Sequence, residues 1–157
     1  MHGKKIKSWI AIADSAKARI YATSGPGLKL TLVNELDSEA ARRLTQELVS
    51  DKPGRSFASA SSRRSSMEPH SDPQSIEKHK FVKDLVGYLD AAALKGKFDD
   101  LFLVAAPRTL GEIRKLSNGH IGSRVRAELG KDLTNIPEPE LPKHLEGLDI
   151  GKQPLGS

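Results

Sequence analysis

The chain has 157 residues, a formal net charge of +5 and no cysteine. That length suits one domain burying roughly two-thirds of its unfolded surface, and the cysteine count excludes a disulfide scaffold, a thiol nucleophile and a Cys-based metal site. No apolar run approaches the ~18 residues of a membrane span, whereas a pI of about 9.5 favours anionic partners.

The first residues, MHGKKIK, are basic and lead into an apolar stretch. That stretch, Trp9–Ala13, is shorter than the ~7–15 residues of a signal-peptide core and stops at Asp14. It therefore reads as a first strand, continuous in apolar residues because both its faces are buried. The cytoplasm is the expected location. Asp14-Ser15 makes a turn, and Ala18–Thr23 is a second strand carried by Ile20 and Tyr21. After the Ser24–Gly27 turn, Leu28, Leu30 and Leu32 alternate with Lys29 and Thr31, which predicts a third strand with one wet face.

Ser38–Leu48 has helix-forming composition with Ser38 as a cap. A Gly/Ser/Arg stretch over residues 50–71 follows, and Asp72-Pro73 then starts the longest helix. Phe81, Leu85, Leu89 and Ala92, widened by Val82 and Val86, form its apolar stripe, and Gly96 is its stop. Leu101–Ala106 is a second fully apolar run, predicted to lie parallel to a strand of the meander. Pro107–Leu116 is a helix, Val125–Leu129 a last strand, and Leu141–Leu145 a short terminal helix. The expected fold class is α/β: a ribonuclease-H-like sandwich on a mixed five-stranded sheet of order 3-2-1-4-5. The domain spans residues 1–146, and residues 147–157 are a disordered tail.

Few motifs carry chemistry. Asp14, Asp99, Asp100 and Asp132 are expected at different ends of the sheet, too far apart to share a cation, so no metal site is predicted. Among His2, His70, His79, His120 and His144 there is no HxH or HExxH spacing. His79 lies off the apolar stripe and should face solvent. There is no GxSxG, P-loop or GxGxxG, and the serines of residues 56–66 lack an evident base. No catalytic residue and no cofactor are assigned. The candidate binding residues are Lys52, Arg55, Arg63, Arg64 and Arg108. The first four read either as an anion-binding arm, since an Arg fork can donate two hydrogen bonds to phosphate, or as a solvated loop. Arg108, just after the fourth strand, could reach an anion from a helix start or simply sit on the surface near a carboxylate. An aromatic content of 4% leaves few stacking platforms for bases.

Four stretches, WIAIADSAKARIYA, ELVSDKPGRSFASASSRRSSMEPHSDP, FVKDLVGYLDAAALKGKFDDLFLVAAPRTLGEIR and ELGKDLTNI, together resemble the bacterial host attachment family, over about Trp9 to Leu145. That family is similar in turn to the middle domain of archaeal and eukaryotic-type peptide chain release factors and Pelota. There a Gly-Gly-Gln loop between the third strand and the long helix triggers hydrolysis of peptidyl-tRNA. Here the equivalent stretch, Pro53 through Arg64, contains no Gly-Gly-Gln, and neither Gln46 nor Gln74 follows a Gly pair. The resemblance thus implies a non-catalytic binding module whose partner is the ribosome, tRNA or another RNA. One alternative is a protein-interaction factor needed, directly or indirectly, for attachment to host cells. A second is a nucleic-acid hydrolase.

Overall fold

The computed structural model describes residues 6–23, 29–41, 73–117 and 119–148. Its five strands are β1 (Ser8–Ala13), β2 (Lys17–Thr23), β3 (Thr31–Asp37), β4 (Asp100–Val104) and β5 (Val125–Leu129). They form one sheet of order β3-β2-β1-β4-β5. β1 pairs antiparallel with β2, placing Ile10 opposite Tyr21, and parallel with β4, placing Trp9 opposite Leu101. β5 adds parallel to β4. The predicted meander, the parallel additions and the strand order are all present.

Because β1 and β4 are central, each alternates between two dry faces. Trp9, Ala11, Ala13, Leu101 and Leu103 turn to one core, and Ile10, Ile12, Phe102 and Val104 to the other. That double burial is why both strands are nearly all apolar in sequence. The first face is covered by α1 (Pro73–Leu94), α2 (Pro107–Leu116) and the single turn α3 (Gly119–Gly122). The predicted stripe of α1 is buried there, with Val82, Leu85 and Leu89 fully so. The Trp9 ring packs 5.0 Å from Phe98 and 6.2 Å from Tyr88, between centroids. The second face is covered by the C-terminal segment. Leu133, Leu141, Leu145 and Leu148 pack from it onto Tyr21 and Phe102. The short helix α4 (Leu141–His144) lies between 3-10 turns at Glu138–Glu140 and Glu146–Leu148. Among the described residues, no helix is long and apolar enough to cross a membrane.

α1 ends in a glycine-dependent motif. Gly96 has φ +69°, its N–H donates to Ala93 O at 3.0 Å, and Lys97 N donates to Ala92 O at 3.0 Å. These two bonds satisfy carbonyls that the last turn would otherwise leave open. Gly87, in the same helix, is exposed and nothing lies within 4 Å of where its Cβ would be. Two substitutions of the same type should therefore act oppositely. Gly96→Ala is expected to cost about 1–2 kcal/mol through its left-handed backbone, and Gly87→Ala to stabilise by up to about 1 kcal/mol. Urea unfolding of the pair checks this, and shifts of the same sign would contradict it.

The third strand differs from expectation. It was expected on Leu28, Leu30 and Leu32, but it begins at Thr31 and runs to Asp37, opposite Lys17. Leu30 lies before it and packs against the second core, and Leu28 lies outside the described residues. The reason is its edge position. Leu32 and Val33 are 44% and 40% exposed, so an alternating pattern is not imposed on this strand. A register shift at Ile20/Tyr21 adds to the mismatch. Of the helix expected over Ser38–Leu48, residues 39–41 are helical and Ser38 Oγ accepts the Ala41 N–H at 3.1 Å; residues 42–48 lie outside the described residues. So do the 50–71 stretch, the Asp72 cap and residues 149–157 of the tail expected over 147–157, whereas Gly147 and Leu148 of that tail are ordered in the last 3-10 turn, because Leu148 is buried in the second core.

Candidate anion-binding face

β4 rises from its pairing with β1 and the chain reverses at Ala105-Ala106 into α2. α1 runs down to Gly96, next to Lys7 at the opposite end of the sheet, so α1 and α2 point the same way. The His79 Nδ1 to Glu112 Oε2 contact, 2.8 Å, sets their relative height. His79 is largely in solvent, as predicted. Four residues earlier on each helix, about 6 Å, Ser75 of α1 lies level with Arg108 of α2. Pro73 is two residues from Ser75, and there the described chain joins the 50–71 stretch. Arg108 is exposed and makes no ion pair with a described residue. Lys52, Arg55, Arg63 and Arg64 lie outside the described residues.

The end of β5 comes to the same place. Ala105 N donates to Leu129 O at 3.0 Å, and a Cβ on Gly130 would stand 3.4 Å from Pro107 Cγ. This close approach sets exposed Lys131 beside the start of α2 and hence beside Arg108. Sequence reading missed Lys131. The only local hint was a Gly-Lys pair directly after a strand.

The carboxylates divide between the two ends of the sheet, as expected. Asp99 and Asp100 do stand at the far end. Asp99 Oδ2 accepts Lys7 N–H at 2.9 Å, and Asp100 pairs with Arg126 at 3.2 Å. Asp14 and Asp132, in contrast, meet at one end, because β1, β4 and β5 are mutually parallel. Buried Thr134 stands between them, its Oγ1 2.6 Å from Asp132 Oδ1 and 3.1 Å from Asp14 Oδ2. Asp14 Oδ1 also accepts the N–H groups of Ala16 and Lys17 at 2.7 and 2.8 Å. These bonds occupy both oxygens of Asp14 in holding the β1–β2 turn to the KDLT stretch. Among the described residues, no three His, Asp or Glu side chains group to hold a metal ion.

Arg19 completes the attachment. Its Nη2 donates to Leu133 O at 2.9 Å and Ile136 O at 2.8 Å, its Nη1 donates to Tyr21 Oη at 3.2 Å, and Lys17 Nζ reaches Asn135 Oδ1 at 2.8 Å. Tyr21 is buried, and desolvation pushes its phenol above the ordinary value, with Arg19 opposing in part. A raised folded-state value means that the neutral phenol is favoured by folding. Its contribution is complete below about pH 10 and disappears as pH climbs through the raised value. Tyr21→Phe should therefore flatten the alkaline loss of stability above about pH 10, measured by urea unfolding across that range. An unchanged alkaline slope in the variant would assign the loss to another group.

Fold and face together define an α/β protein built on one mixed five-stranded sheet, with exposed cations at the C-terminal ends of its parallel strands. Residues 9–145 match the family described as "Protein required for attachment to host cells", and the chain belongs to that family. It is similar to an uncharacterized protein of Rickettsia prowazekii (strain Madrid E), 28% identical over 143 residues, covering 85% of this chain and 88% of that one. Among solved structures it is similar to an archaeal translation termination factor, with 11% identity and a TM-score of 0.40. That alignment takes in 90% of this chain and spans only 38% of the factor.

Proposed function

We propose that this host attachment family protein is a non-catalytic, cytoplasmic module that binds RNA, as tRNA or on the ribosome. The observation that carries the reading is the rim: exposed Arg108 and Lys131 stand beside the point where the chain carrying Lys52, Arg55, Arg63 and Arg64 joins α1. Two exposed cations at that end, with four more in the sequence of the stretch that joins α1 there, suit a phosphate backbone, which needs charge and reach rather than a deep pocket. Asp14 and Asp132 bond Thr134 and backbone N–H groups in holding the β1–β2 turn to the KDLT stretch, a structural use that supports binding without cleavage.

The test is binding to tRNA and to ribosomes at low and moderate salt. Each phosphate contact to a single strand contributes about 0.7 to the log–log salt slope. Replacing Arg55, Arg63 and Arg64 together by Ala should lower that slope by about 2, and Arg108→Ala with Lys131→Ala by about 1. Binding that is absent at low salt, or unchanged in both variants, would refute the rim. Divalent-metal-dependent cleavage of the bound RNA would refute the non-catalytic reading. A second reading, a protein-interaction factor, draws on exposed Leu32 and Val33 of β3, which has one neighbouring strand among the described residues. It predicts partners that survive nuclease treatment.

A further inference from the structure

The chain holds seven aromatic residues, and the structure describes six of them. Trp9, Phe81 and Phe98 are buried in the first core, and Tyr88 packs against that core with its ring stacked on Trp9. Tyr21 and Phe102 are buried in the second core. Two cores on one sheet thus take up every described ring. Among the described residues, none stands exposed at the rim. The seventh, Phe57, lies outside the described residues.

What the rim offers is positive charge. Arg108 and Lys131 are exposed there. α1 and α2 both begin at this end, and neither has an acidic residue in its first turn. The positive ends of two helix dipoles therefore add to the two cations. Asp132, which follows Lys131, turns its carboxylate to buried Thr134.

Proteins that hold single-stranded nucleic acid combine a cationic groove with rings on which successive bases stack. A surface with charge and no stacking platform gains most where phosphates are densest. A duplex carries phosphates on two strands, and each one neutralised releases more counterion than on a single strand. A-form RNA also presents phosphates and 2′-hydroxyls along its shallow groove, so it is bound by shape without unstacking its bases. We propose that the rim binds base-paired, helical RNA through its backbone and does not read base identity. This rests on the RNA-binding reading above and names the form of RNA that satisfies it.

The experiment is fluorescence anisotropy of labelled RNA titrated with the protein at one low salt concentration. The probes are an RNA duplex of about 16 base pairs, a second duplex of scrambled sequence, and oligouridine of the same strand length, which does not pair with itself. Both duplexes are expected to bind equally, and about tenfold more tightly than oligouridine. Replacing Arg108 and Lys131 together by Ala should weaken both duplexes to the same extent. Phe57→Ala should leave both unaffected. Oligouridine bound as tightly as the duplexes, or more tightly, overturns this inference and leaves RNA binding standing. So does a preference above about tenfold between the two duplexes, because bases would then be read. Weaker duplex binding in Phe57→Ala overturns it too, because a stacked ring would then carry the contact. Binding of no probe at low salt refutes the RNA reading itself and this inference with it.

Discussion

Arg19→Ala is expected to destabilise the protein by about 2–4 kcal/mol. The guanidinium donates to the carbonyls of Leu133 and Ile136, far along the chain, at 2.9 and 2.8 Å. A hydrogen bond to a charged group contributes roughly 1.5–3 kcal/mol, and an acceptor left without a donor adds its own desolvation cost. The deleted stem also packs over the Tyr21 ring, its guanidinium carbon 5.8 Å from the centroid. Arg19→Lys keeps the charge but cannot span two carbonyls with one planar fork, so it should recover less than half. The loss should be localised as well as global. Amide exchange should accelerate first in residues 133–148, whose leucines are held onto the sheet by this clasp. A loss below about 0.5 kcal/mol, or exchange that accelerates evenly, would show that the leucines alone hold the segment.

Leu85→Ala is expected to cost about 2–5 kcal/mol, the range for a fully enclosed leucine whose surroundings cannot collapse. Leu85 is fully buried in the first core, where α1 meets the sheet. For a chain of this size, such a loss should lower Tm by roughly 5–15 °C. The helix also carries the join to the 50–71 stretch and the level reference for Arg108. The proposed RNA affinity should nonetheless be unchanged well below the variant's Tm, because Leu85 lies some three turns from the start of α1. Reduced affinity with intact secondary structure would mean that the rim depends on how α1 seats. A stability loss under about 1 kcal/mol would mean that the core relaxes around the missing methyls.

The ELVSDKPGRSF and KDLT stretches are the most specific parts of the host attachment resemblance. ELVSDKPGRSF lies outside the described residues. KDLT is the structural clasp: Asp132 and Thr134 close on Asp14, and the carbonyl of Leu133 on Arg19. Nothing local marks KDLT as a clasp, since its partners are more than a hundred residues away. Asp14 and Asp132 follow β1 and β5, but nothing local shows that they share one partner. Their meeting depends on three parallel strands ending together and on one threonine that no spacing rule selects.

What the sequence determined by itself was whatever depends on near neighbours. The apolar runs of β1 and β4 show double burial, because a strand with two dry faces has no polar position to alternate with. The α1 stripe, Pro107 at the start of α2 and Gly96 past the end of α1 follow from helical period, ring-locked φ and freedom at positive φ. Tertiary structure alone decided the rest. β3 begins late because an edge strand takes its span from β2 and not from its own pattern. Arg108 and Lys131 become neighbours because Gly130 lets β5 close on Pro107. Such meetings are set by topology, whereas periodicity records only which side of one element is dry.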